Sequence, residues 1–209
     1  MLGTITHNTE RARTTSTDYR LGITSTFTFR DIDAEIRPMG WDDLETLRLW
    51  KNVHREFFSH RTWIAPDAQQ AWYRGFRNDP ASTMLVGLAG GTTSACVGFR
   101  QATCGTFGIE RDLSRTVELF NLMCGNPELA GQGYMTAFTE AIFAQYASQG
   151  IESVILCVLR SNTRARNWYE KRGFQPFGSD ETCEFLMRSL ERSLERSPGR
   201  PLGQSPVQS

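Results

Sequence analysis

Apolar and polar positions follow each other along this chain in patterns that switch between strand and helix. Over residues 34–39 they alternate with period two, and Pro38 and Gly40 close that strand. Asp42-Asp43 opens a helix in which Leu44, Leu47, Trp50, Val53 and Phe57 recur at three- and four-residue spacing, so they are expected on one inward face. A second helix starts at Pro66-Asp67 and carries Ala71, Trp72 and Phe76. Residues 84–89 and 95–101 read as two strands of a hairpin turned at Gly90-Gly91. Thr116–Cys124 is apolar on both faces and is expected at the centre of a sheet. Residues 135–148 form a helix with Phe138, Ala141, Ile142 and Tyr146 inward, and Ser153–Leu159 is a further buried strand. Residues 162–172 read as a helix capped by Gly173, and 174–177 with 182–187 as a closing hairpin. Strands of meander and crossover type around about four helices predict a mixed α/β sheet.

The two ends differ in character. Residues 1–30 are rich in Thr, Ser and Arg and read as a disordered (1–19) or loosely attached segment, though Phe27 and Phe29 alternate with threonines as an extra edge strand would. Residues 189–209, with a doubled Ser-Leu-Glu-Arg and then Pro, Gly, Ser and Gln, read as a flexible tail. One domain over residues 31–188 remains.

Composition narrows the classes. With 23 basic and 23 acidic residues the net charge is zero, which argues against nucleic acid or an anionic membrane as partner. The first residues lack a signal-peptide layout and no apolar run approaches the roughly 20 residues of a membrane span, so a cytoplasmic protein is expected. Cys96, Cys104, Cys124, Cys157 and Cys183 are scattered, with no CxxC pair and no histidine at zinc spacing; no metal site is expected. Most of them lie in apolar runs and read as buried small hydrophobes.

Chemistry concentrates after the central strand. In Asn121-Leu-Met-Cys-Gly-Asn-Pro-Glu-Leu-Ala-Gly-Gln-Gly-Tyr-Met-Thr136, Pro127 stops the ladder and a loop with Gly131 and Gly133 leads into a helix. Glycines let backbone N–H groups converge, and the helix adds its free N–H groups and positive dipole end, a geometry suited to a pyrophosphate. Taken alone, the loop fits an anion site and a plain strand-to-helix turn equally. No Gly-Lys-Ser/Thr follows, which excludes a Walker loop, and the third glycine of a dinucleotide fingerprint is missing.

About 30 residues downstream comes Asn162-Thr-Arg-Ala-Arg-Asn-Trp168-Tyr169-Glu-Lys-Arg-Gly173-Phe174. Together the two segments resemble the GCN5-related N-acetyltransferase (GNAT) superfamily, the first matching its cofactor loop and the second its late helix. The motifs cover residues 116–174, and the element order extends the likeness to about 34–188. The resemblance implies a mostly antiparallel sheet whose central parallel pair splays at the cofactor site, flanked by about four helices, and makes residues 31–188 an acyl-CoA N-acyltransferase domain. The loop departs from the family's Arg/Gln-x-x-Gly-x-Gly/Ala form at Ala130 and Met135, which bears on cofactor affinity.

The resemblance also implies roles. Met123, Cys124 and Gly125 would bind the pantetheine arm of acetyl-CoA in strand fashion, and Gly131, Gln132, Gly133, Tyr134, Met135 and Thr136 would hold the pyrophosphate. A backbone N–H of the splayed strand would meet the thioester oxygen. Asn162 would contact the pantetheine, or else serve as a helix N-cap. Tyr169 matches the tyrosine that protonates the departing thiolate, a phenol of pKa about 10 facing a thiolate of similar basicity. Glu118 is the first candidate for general base, with His54 and His60 as alternatives; Leu119 and Cys157 stand where some relatives keep a glutamate. Of Arg160, Arg164, Arg166, Lys171 and Arg172, one or two would reach the 3′-phosphate and the rest form a solvated face.

The segment Leu49-Trp-Lys-Asn52, Phe57-Phe58 and Trp63-Ile64 … Trp72 is similar to GNAT enzymes that acetylate nucleotide-linked amino sugars or ribosomal proteins, with Lys51 in place of the usual arginine and Gln69 where a histidine is frequent. Its aromatics wall an acceptor pocket or are plain helix packing. The expected function is N-acetylation of a small-molecule amine, an amino sugar ahead of an amino acid, an antibiotic or a protein N-terminus. A non-catalytic acyl-CoA-binding regulator is the alternative of another class. A homodimer is compatible with either.

Overall fold

A computed structural model describes residues 24–110 and 112–190. The disorder expected over residues 1–19 and nearly all of the expected tail lie outside the described residues. The elements run β1 (Ser25–Phe29), β2 (Ile32–Pro38), α1 (Leu44–Val53), α2 (Pro66–Phe76), β3 (Ser82–Ala89), β4 (Thr92–Gln101), α3 (Cys104–Phe107), β5 (Thr116–Cys124), α4 (Tyr134–Ser148), β6 (Ser153–Leu159), α5 (Thr163–Glu170), β7 (Gln175–Ser179) and β8 (Cys183–Ser189). The eight strands form one sheet in the order β1-β2-β3-β4-β5-β6-β8-β7. Every neighbouring pair is antiparallel except β5 and β6. This is the mixed, mostly antiparallel sheet with a central parallel pair that the resemblance implies.

The sheet separates two layers. On one face α4 and α5 pack Tyr134, Phe138, Ile142, Tyr146 and Tyr169 against Leu85, Val97, Phe99, Val117 and Leu119. On the other, α1 and α2 bring Leu44, Leu47, Trp50 and Phe76 onto Met84, Val86, Cys96, Phe120 and Met123. The short helix α3, absent from the hydrophobic pattern because it is a single turn, covers Ile155 and Phe185 through Phe107 on that second face.

Three expectations are corrected, and one is borne out. The α1 stripe was expected to run inward through Val53 and Phe57, but the helix stops at Val53, where the side chain is 67% exposed, and Phe57 turns outward in a 3-10 turn. Cysteines were expected to be mostly buried, yet Cys104 and Cys157 are exposed, Cys124 is intermediate and only Cys96 and Cys183 are buried. At Cys157 the cover is lost because β5 pairs with β6 only as far as Leu156. The extra edge strand read from Phe27 and Phe29 is present: β1 pairs along β2 from Ser25 and buries Phe29. The late helix is shorter than residues 162–172, since Asn162 is its cap rather than its first turn.

Candidate functional site

β5 carries an extra residue. Cys96 pairs with Met123 but Gly98 pairs with Phe120, so one residue of β5 has no partner on β4. Asn121 sits at this bulge with φ 50, in the left-handed region that asparagine tolerates. Glu118 and Phe120 therefore face α1 and α2, and so does Met123, while Leu122 and Cys124 turn to the α4 side. Just before the bulge β5 leaves its parallel partner: pairing with β6 ends at Leu119–Leu156, and β6 continues to Leu159 against β8 alone. A gap opens between two adjacent strands at the centre of the sheet.

Of the three residues expected to line that gap, Gly125 donates its N–H to the Ser94 carbonyl at 2.9 Å, on the β4 side. Because strand N–H groups alternate sides, the Cys124 main chain is the one turned to the gap. The close approach of Trp50 makes Gly125 a glycine: a Cβ there would lie 1.7 Å from the indole Cε2. Met123 joins the core under α1. Burial pushes the Cys124 thiol up from its ordinary value.

The loop after β5 is built for turned-in amides. Gly131 (φ 74) and Gly133 (φ 95) adopt conformations closed to most other residues, and neither has atoms within 3.4 Å of where a Cβ would sit. Ala130 and Gln132 bond back to Pro127 and Leu129. The N–H groups of Gly131, Gly133, Tyr134 and Met135 find no hydrogen-bond partner among the described residues. Two belong to the first turn of α4, whose dipole points its positive end there. Tyr134 contributes only its main chain, because its ring is fully buried and its hydroxyl donates to the Leu88 carbonyl at 3.1 Å. The Thr136 hydroxyl accepts from Arg172, at 2.9 Å from Nε, and keeps its own hydrogen to donate.

Asn162 caps α5: its Oδ1 accepts from the Ala165 N–H at 3.1 Å, and its amide NH2 remains to donate to a ligand. Tyr169 lies on the inner side of α5 with Trp168 and Phe174, in the same cluster as Leu122 and Cys124. Burial pushes its phenol pKa up, which keeps the proton on oxygen across the physiological range. Among the helix's basic residues, Arg160 bonds Ser179 and Asp180, Arg166 pairs with Glu170 and Glu184, and Arg172 crosses to Thr136 over the Trp168 ring. The charge of Arg164 acts on Cys124.

On the α1–α2 face a cleft of about 460 Å³ opens beside the bulge, lined among others by Trp72, Phe76, Asp79, Arg100, Phe120 and Asn121. Trp72 stacks on Phe76 with centroids 4.9 Å apart. The remaining aromatics of the early segment divide: Trp63 is 62% exposed, Phe58 lies under the Lys51 ammonium at 5.3 Å, and Tyr73 donates to the Met39 carbonyl. Asn52 and Arg48 clamp Ile64 and so fix the approach to α2.

Glu118 is buried at the floor of this face, and Arg100 grips both its carboxylate oxygens at 2.6 and 2.8 Å. That pairing raises the Arg100 pKa. The Lys51 ammonium is 3.2 Å from the Asn121 Oδ1 and has no carboxylate within ion-pair distance among the described residues; burial lowers its pKa. Arg100 on Glu118 and the lack of a carboxylate beside Lys51 among the described residues had no signal in the sequence, since both depend on how elements distant along the chain pack together. His54 and His60 lie in the α1–α2 connection. Among the described residues no three His, Cys, Asp or Glu are grouped to hold a metal ion, and no helix is long and apolar enough to cross a membrane.

The sequence profile of the Acetyltransferase (GNAT) family matches residues 45–174. No curated protein matches the sequence. Solved structures are similar in fold. An uncharacterized protein from Bacillus halodurans has a TM-score of 0.67 at 17% identity, over 80% of this chain and 91% of that one. The aminoglycoside acetyltransferase AAC(6')-Ib, solved with coenzyme A, has a TM-score of 0.62 at 19% identity, over 75% and 94%. The PaiA N-acetyltransferase of Thermoplasma acidophilum, also solved with coenzyme A, has a TM-score of 0.53 at 19% identity, over 75% and 98%.

Proposed function

We propose that this chain, which belongs to the GNAT acetyltransferase family, transfers the acetyl group of acetyl-CoA to the primary amine of a small anionic acceptor, with a nucleotide-linked amino sugar as the best-fitting class. One observation carries the reading: the bulge at Asn121 belongs both to the opened strand pair and to the aromatic cleft, so a cofactor arm in the gap and an acceptor in the cleft would meet at one residue.

The residues present fit the co-substrate. The N–H groups of Gly131, Gly133, Tyr134 and Met135, in the loop and the first turn of α4 and without partners among the described residues, suit a pyrophosphate, with Gln132 and the Thr136 hydroxyl beside them. Met123, Cys124 and Gly125 form the strand edge for the pantetheine, Cys124 through its gap-facing main chain and the other two by holding that edge on β4. Asn162 orders the start of α5 and offers its amide NH2. Tyr169, held protonated by burial, is the proton donor to the departing thiolate.

Glu118 lies on the same face of the sheet as the cleft, but both its carboxylate oxygens are engaged by Arg100. In this reading it holds Arg100 at the cleft floor, and the amine loses its proton to water in the cleft. Lys51, a half-buried cation without an acidic partner among the described residues, supports an anionic acceptor; Trp72, Phe76 and Phe120 supply flat surfaces for a base or sugar.

Thiol release from acetyl-CoA, followed over a panel of nucleotide-linked amino sugars, amino acids, aminoglycosides and peptide N-termini, tests this. Release is expected with the nucleotide-linked amines first. Release confined to aminoglycosides would overturn the acceptor class, and thermal stabilisation by CoA without release from any amine would favour a non-catalytic acyl-CoA binder.

A further inference from the structure

The family match begins at residue 45, so the β1–β2 hairpin lies outside it. Yet the hairpin touches the cofactor loop directly. Phe27 and Phe29 pack on Tyr134, the first residue of α4, with ring centroids 5.8 and 5.4 Å apart, and the Phe29 ring is 3.8 Å from where a Gly133 Cβ would stand. Arg30, at the hairpin turn with φ 55, lies with its guanidinium 5.4 Å from the centre of the Phe29 ring. From there Nη2 donates to the main-chain oxygen of Gln132 at 3.3 Å and to its side-chain Oε1 at 3.0 Å.

Those two bonds act on the loop's amides. In a planar trans peptide the C=O and the following N–H point in opposite directions. With the Gln132 carbonyl drawn to Arg30, the Gly133 N–H is turned away from the hairpin. Gly133 is one of the four amides left without a partner among the described residues. This peptide turns about ψ of Gln132 and φ of Gly133, and the glycine's wide conformational freedom leaves it easily turned over without an external tether. The loop supplies no such tether itself: Ala130 has no polar side chain. Arg30 also makes no ion pair among the described residues, so its charge is unneutralised beside the loop.

We infer that Arg30 is a positioning residue of the cofactor loop: by holding the Gln132–Gly133 peptide it pre-sets the amide that meets the pyrophosphate of coenzyme A, making the N-terminal hairpin part of the cofactor site. This rests on the acetyl-CoA reading above.

Calorimetric titration of the full chain with CoA tests it. Arg30→Ala is expected to weaken CoA binding roughly tenfold, the scale of losing charge-assisted hydrogen bonds, while the Tm without CoA stays unchanged. Arg30→Lys, which retains a donor, is expected to recover part of the loss. Binding by Arg30→Ala within twofold of the wild type would overturn the inference and leave the cofactor reading standing. A wild type without CoA affinity would overturn both. Should Arg30→Ala lower the Tm, Arg30→Met, which keeps the aliphatic stem on Phe29, is judged by the same two outcomes.

Discussion

The indole of Trp50 lies against the backbone of Gly125, so close that a methyl group there would fall 1.7 Å from the ring. The helix carrying Trp50 thus seals one side of the strand end that borders the opened gap. Gly125→Ala must displace a large, partly buried ring, and overpacking of this kind costs about 1–3 kcal/mol. Urea unfolding should show that loss. CoA affinity should fall with it, because the ring can yield only by shifting α1 or the end of β5.

Tyr169→Phe removes a hydroxyl and keeps the ring contacts with Trp168 and Phe174. Turnover with the identified amine should drop about 10²-fold or more, the range for a lost general acid, with CoA affinity nearly unchanged. A large loss of affinity would instead show that the tyrosine serves the architecture.

For Glu118→Gln the expected loss of turnover is under about tenfold, below the 10²–10⁴ of a missing general base, together with lower stability because Arg100 loses its charged partner. Steady-state rates and thermal melts separate the two effects. A rate loss of about 10³ or more would identify the carboxylate as the proton acceptor.

Asp43 ties the start of α1 to β2 and β4. Burial pushes its pKa up, but hydrogen bonds from Arg37, the Gly40 N–H and Thr93 outweigh that and leave it below the ordinary 3.8. A carboxylate with a depressed folded-state pKa stabilises above its unfolded pKa, and the contribution is lost as pH falls through the folded value. Denaturant melts should therefore show stability declining below about pH 4. Asp43→Asn should flatten that decline while lowering stability at neutral pH.

Periodicity carried most of the fold. Thr116–Cys124 and Ser153–Leu159 coincide with the strands read from apolar runs, and α4 begins one residue before its expected start. Periodicity misled at Val53 and Phe57, because spacing continues past a helix end that nothing in the pattern marks. The loop glycines were legible because their conformations restrict residue type, and Asn162 because capping does too. Arg100 on Glu118, Trp50 on Gly125 and Arg30 on Gln132 were not legible. Each joins residues 18 to 102 positions apart through pairings that only the folded sheet creates.

The unpaired residue in β5 also changes which positions tolerate deletion. Before Asn121 the odd residues Val117 and Leu119 point toward α4; after it the even residues Leu122 and Cys124 do. Removing Asn121 would restore simple alternation and leave every destination downstream as it is: Leu122 and Cys124 toward α4 and Met123 under α1. The chain from Thr116 to Phe120 would keep its place. The extra residue is thus absorbed at one asparagine, and a deletion there would spare the facing of the central strand while removing the bulge that stands beside the gap.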